Sequence, residues 1–105
     1  MHKIQYKDIA DDKDNIIEII NKMIPIYKEK QYHMQVLECE QWLTMLSKLP
    51  IKTEYTPDAI LALKNILNDC SNIYLSYGYF DLGIISMNLM DKLFKLFKEN
   101  KNEKD

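Results

Sequence analysis

The chain has no arginine: all 14 of its basic residues are lysine. Arginine's planar fork reads phosphate and guanine in two-point contacts, and without it, without a basic stripe and at a net charge of -2, a nucleic-acid partner is disfavoured. A genome rich in A and T, which supplies Ile, Lys and Asn together, accounts for the same absence. Glycine and proline are scarce, with 2 and 3 copies in 105 residues, which argues against a sheet of many turns and for helices. Two cysteines, Cys39 and Cys70, are too few for a disulfide scaffold. Both fall inside apolar helical patterns, which predicts buried thiols in a reducing compartment. No apolar run is long enough to cross a membrane, and Met1 to Tyr6 holds no apolar signal core. The expected setting is therefore the cytoplasm.

What is present describes one helical domain over residues 1–105, large enough to bury about 65% of its unfolded surface. Residues 1–10 are weakly patterned and read as an N-terminal arm. Asp11, Asp12 and Asp14 crowd a helix start, where carboxylates oppose the helix dipole. Ile16, Ile20, Met23, Ile24 and Tyr27 follow at three- and four-residue steps, one apolar face. Pro25 predicts a kink, or an end near Ile24. Lys28 to Gln31 is a polar corner. A second helix over 32–49 turns Val36, Cys39, Leu43 and Leu46 inward, widened by Trp42 and Leu49, and Pro50 closes it. Residues 50–56 read as a loop.

Thr56-Pro57-Asp58 is a helix start with a hydroxyl cap, a proline in the first turn and an acid behind it. The third helix carries Leu63, Leu67, Cys70, Tyr74 and Tyr77 inward, widened by Ile66 and Ile73. Gly78 stands where a helix end needs positive φ. The fourth helix, about 80–97, points Leu82, Ile85, Leu89, Leu93 and Leu96 inward, with Met87, Met90, Phe94 and Phe97 as a second apolar row. That second row exceeds what one partner helix covers, which leaves a homo-oligomer through this helix open. Residues 98–105 read as a frayed charged tail. The expected fold is all-α, with four helices as two antiparallel hairpins.

The second hairpin resembles a tetratricopeptide repeat over about a quarter of the chain. Leu67 occupies the large position that opens the family's pattern, Cys70 the next apolar one, Ser71 the small one and Tyr74 the aromatic. Gly78 is the corner glycine, Phe80 the aromatic after it, and Gly83 the small residue where the helices cross. The pattern departs at Met90, where the family prefers a small residue, and at Lys95, where it ends on proline. Nothing matches 34 residues earlier, where Leu67 aligns with His33. A tetratricopeptide-like pair of hairpins and a compact four-helix bundle both stay open.

The resemblance implies that the first helix of this hairpin lines a groove for extended peptides, with Asn65, Asn68 and Asn72 offering amide donors and acceptors. A solvated face in an asparagine-rich chain is the alternative. Tyr74, Tyr77, Tyr79 and Phe80 crowd the second corner, and Tyr79 lies off the inward rows, which marks it for exposure. Trp42 is a candidate partner anchor at the edge of the second helix, or else core. The lysines opposite Leu and Phe on the fourth helix also fit a surface-seeking membrane helix, against a core helix with a solvated edge. His33, Glu38, Cys39 and Glu40 lack the paired spacing of a metal site. There is no glycine-rich phosphate loop and no nucleophile elbow. The expectation is thus a non-enzymatic protein, with no metal or cofactor, that binds a peptide or protein partner. The alternative is a small helical inhibitor or immunity protein, of bacteriocin-immunity or anti-defence type, that blocks a single target.

Overall fold

Local chemistry sets the start of the third helix and the corners that end the first and the third. The computed structural model describes residues 4–5, 8–47 and 54–101. A short 3-10 turn, Ala10–Asp12, leads into α1, Lys13–Glu29, and α2 spans His33–Ser47. Two short strands, β1 at Ile4–Gln5 and β2 at Glu54–Tyr55, pair antiparallel with Ile4 opposite Tyr55. Then come α3, Pro57–Ser76, and α4, Phe80–Lys101. The architecture is all-α, four helices in two hairpins, with a minimal ribbon tying the N-terminal segment to the link between them. Leu49, Pro50 and residues 102–105 lie outside the described residues, as does most of the segment read as a loop.

Thr56 caps α3 as the sequence predicts: its hydroxyl accepts from the Ala59 N–H at 3.1 Å, and Pro57 follows in the first turn. Pro25 does not end α1, which runs on to Glu29. Pro25 and Asn21 both face solvent, so water can satisfy the Asn21 carbonyl that loses its intrahelical donor.

The two hairpin corners have the same cap. After α1, Tyr32 N–H donates to the Tyr27 carbonyl at 2.9 Å and Gln31 N–H to Lys28 at 3.0 Å. After α3, Tyr79 N–H donates to Tyr74 at 2.8 Å and Gly78 N–H to Leu75 at 3.1 Å. Both are Schellman motifs, with a positive-φ residue at the turn: Gln31 at 64° and Gly78 at 85°. The apolar contact that accompanies such a cap is a tyrosine pair each time, Tyr27 with Tyr32 at 6.0 Å and Tyr74 with Tyr79 at 6.2 Å. The offset is 47 positions (27 to 74, 32 to 79). It extends through the burial pattern: Ile16, Ile19, Ile20, Met23 and Tyr27 match Leu63, Ile66, Leu67, Cys70 and Tyr74, all buried. Val36, Cys39, Trp42 and Leu46 match Gly83, Ser86, Leu89 and Leu93, again all buried. The molecule is two hairpins in one register.

α3 and α4 share the most extensive contact of any helix pair, followed by α1 and α2, and α1 also meets α3 and α4. Gly83 is the close approach in the second hairpin: a Cβ there would lie 2.6 Å from Leu75 Cδ2. The hairpins join through a single core, and the buried Tyr74 hydroxyl donates to the Ile19 carbonyl at 2.7 Å. Lys92 on α4 pairs with Asp12 ahead of α1 at 2.7 Å. Ile9, in the segment read as an arm, is a core residue.

Two inward rows need correction. Tyr77 is exposed, because it is the cap residue one step past the last buried turn of α3. Ile85 is exposed too, and Ser86 takes the buried place. Its hydroxyl donates to the Leu82 carbonyl at 2.7 Å, so a polar side chain is satisfied within its own helix.

Candidate interaction site

The two capped corners lie side by side. Lys30, in the first corner, sets its ammonium 5.5 Å from the ring centroid of Tyr77, in the second. The end of the molecule therefore carries Tyr32, Tyr77, Tyr79 and Phe80, all exposed. Tyr77 and Tyr79 tilt against each other at 6.3 Å. Beside them runs a cleft of about 230 Å³ lined by Tyr27, Tyr32, Gln35, Asp69, Asn72 and Ile73. It lies between the start of α2 and the last turns of α3.

The residues singled out in the sequence separate. Asn72 lines the cleft, and Tyr79 stands exposed at the same end. Asn65 and Asn68 share the outer surface of α3 with Asn72 but lie outside the cleft. Asn65 accepts from the Lys64 ammonium at 3.5 Å, and Asn68 is half-buried. Trp42 is not an exposed anchor. It is 6% exposed and stacks on Tyr55 at 5.8 Å, so the β2 strand covers it. Tyr32 and Gln35 escaped sequence reasoning. The available signal was the recurrence of Ile-Tyr and a second tyrosine five residues on, at Ile26-Tyr27-Tyr32 and Ile73-Tyr74-Tyr79.

Beneath the cleft the chemistry is inert. Burial pushes the pKa values of both Tyr27 and Cys70 up, with Asp69 and the neighbouring thiols adding to it. Burial, with Glu38 and Glu40 adding, pushes the Cys39 thiol up to about 11. A thiol held protonated is a poor nucleophile. Among the described residues no three His, Cys, Asp or Glu side chains converge as a ligand set, and no helix is long and apolar enough to cross a membrane. Leu89 and Leu93, which gave α4 its surface-seeking look, are buried in the core.

These features define a class, a four-helix protein with an aromatic, amide-edged end. Compared with known proteins, the chain matches no family model, no curated protein and no solved structure.

Proposed function

We propose that this chain is a non-catalytic interaction module that binds a peptide or protein partner at the end where its two corners meet. The observation that carries the reading is the cleft lined by Tyr32, Gln35 and Asn72, at the end of the molecule where Tyr77 and Tyr79 stand exposed. At about 230 Å³ it is smaller than the roughly 300–1,000 Å³ of small-molecule sites. It fits one or two side chains. Exposed tyrosines supply rigid contact area at low entropy cost, and the amides of Gln35 and Asn72 supply backbone-matching donors and acceptors. The likeness of α3 to the groove-lining helix of a tetratricopeptide unit supports the same reading. Protonated buried thiols suit a reducing compartment such as the cytoplasm.

The test is a peptide-library titration followed by isotope-edited amide spectra. Micromolar binding is expected, with shifts at Tyr32, Gln35, Asn72 and Tyr79. Tyr32→Ala and Asn72→Ala should each weaken it about tenfold, roughly 1.4 kcal/mol, and Asn65→Ala should leave it unchanged. Binding indifferent to Tyr32→Ala and Asn72→Ala would remove the cleft from the account. A single tight protein target with no peptide binding would favour the inhibitor alternative.

A further inference from the structure

The outer surface of α4 carries large, exposed apolar side chains. Phe80 is 62% exposed and Ile84 52%, with Met87 and Phe94 also exposed. Positions 80, 84, 87 and 94 fall at the four-and-three spacing of a heptad seam, which Asp91 and Lys98 complete. The internal register supplies a control. The equivalent places on the outside of α2 are His33, Leu37, Glu40 and Ser47, all exposed and only one of them apolar. The hairpin fold therefore has no need of apolar residues there.

We infer that this stripe is the interface of an antiparallel homodimer with Met87 at its two-fold axis. A two-fold interface must complement itself, and this one does so in shape and in charge. Phe80 and Phe94 each stand seven residues from Met87, about 10.5 Å along the helix at roughly 1.5 Å per residue. A second α4 laid antiparallel sets Phe80 against the partner's Phe94, and does so twice. Asp81 and Lys95 flank the stripe on one side, each seven residues from Asn88. The same pairing brings Asp81 to the partner's Lys95, whereas a parallel pairing turns Asp81 toward the partner's other flank, where Gly83, Met90 and Phe97 offer no charge. Charge thus selects the antiparallel arrangement. Asp91, within the seam, acts as a polar residue that fixes register at some cost in stability. Lys64 and Lys98 hold their ammonium groups 5.1 and 5.5 Å from the Phe94 ring, so their stems extend the apolar surface while their charges stay in water. The peptide cleft is lined by α1, α2 and α3 and by no residue of α4, so it stays open in the dimer. The dimer and the peptide site stand or fall separately.

Sedimentation equilibrium of the full chain over a wide concentration range tests the dimer. The expected mass rises with concentration from 12.5 kDa to twice that value. Met87→Lys, which sets two ammonium groups face to face at the axis, should weaken association about a hundredfold with an unchanged far-ultraviolet spectrum. Ile84→Lys should do the same, and stands in if Met87→Lys disturbs the fold. Asp81→Lys and Lys95→Asp should each weaken the dimer, and their combination should restore it. A chain that stays monomeric at every concentration would overturn the proposal. So would a dimer indifferent to Met87→Lys and Ile84→Lys, or a charge exchange that fails to restore. A monomer that binds anionic vesicles through this stripe would overturn it too, in favour of lipid.

Discussion

Gly83 shows how much one hydrogen atom can decide. A Cβ at that position would meet Leu75 Cδ2 at 2.6 Å and Cγ at 2.7 Å, so the whole Leu75 side chain would have to rotate rather than its tip alone. Gly83→Ala should therefore destabilise the fold by about 1–3 kcal/mol despite the better helix propensity of alanine. Leu75→Ala should recover part of that loss, because the two sites share one contact. Urea unfolding of both single variants and the pair checks this, and strict additivity would refute the clash. Both glycines were legible in the sequence, Gly78 as the residue that ends a helix and Gly83 because a residue without a side chain has few uses inside one. Ser86 was not: a serine at helical spacing looks like surface until a hydroxyl bond to Leu82 hides its polarity. Trp42 was legible only as an alternative, because nothing in its own helix announces that Tyr55, on a two-residue strand, covers it.

Between elements, the informative contrast is the matched pair of corners. The second uses glycine for its positive-φ position and the first uses glutamine, at 64°. A left-handed L-residue costs roughly 1–2 kcal/mol, which glycine avoids at the expense of a more flexible unfolded chain. Gln31→Gly should thus raise stability by about 0.5–1 kcal/mol. Gly78→Ala should lower it by about 1 kcal/mol through the backbone alone, since nothing lies within 4 Å of a Cβ placed there. Thermal melts of the two variants that moved in the same direction would contradict the shared cap. The helices themselves were readable from periodicity and from Thr56-Pro57, and their number and order stand as read. The pairing of the hairpins was hidden for a physical reason. Caps and buried positions recur every 47 residues while the side chains filling them differ, so comparison at 34 residues found nothing. Of the two outcomes that Pro25 allowed, a kink or an end near Ile24, the end is excluded because α1 runs on to Glu29.

At the scale of the whole molecule, ionisable groups are sealed between the hairpins. Burial raises the pKa of Tyr27 and Tyr74 above the ordinary 10.0, and those of Cys39 and Cys70 above 9.0. The folded state keeps these protons after the unfolded chain has begun to lose them, so the unfolded state binds fewer protons and stability falls as pH rises. The contribution is complete below pH 9.0, declines from there, and for Cys39 is exhausted near 11. Urea midpoints between neutral pH and this limit should drop steadily, and a flat profile would contradict the burial. The aromatic end is similarly a property of the assembled molecule. Asn72 could be named from its own helix, but Tyr32 and Gln35 reach it from the other hairpin, and only the docking of the two brings them together.

Where α4 has Gly83 against Leu75, α2 has Val36, and among the described residues the two hairpins differ in how closely their helices meet. α3 and α4 run against each other along their length, whereas α1 and α2 meet over far less. Thermal agitation will therefore loosen the first hairpin ahead of the second. One wall of the cleft, with Tyr32 and Gln35, stands on the element that gives way, and the other, with Asn72, on the element that holds. A visitor of imperfect shape meets a jaw that can shift to fit it against an anvil that does not.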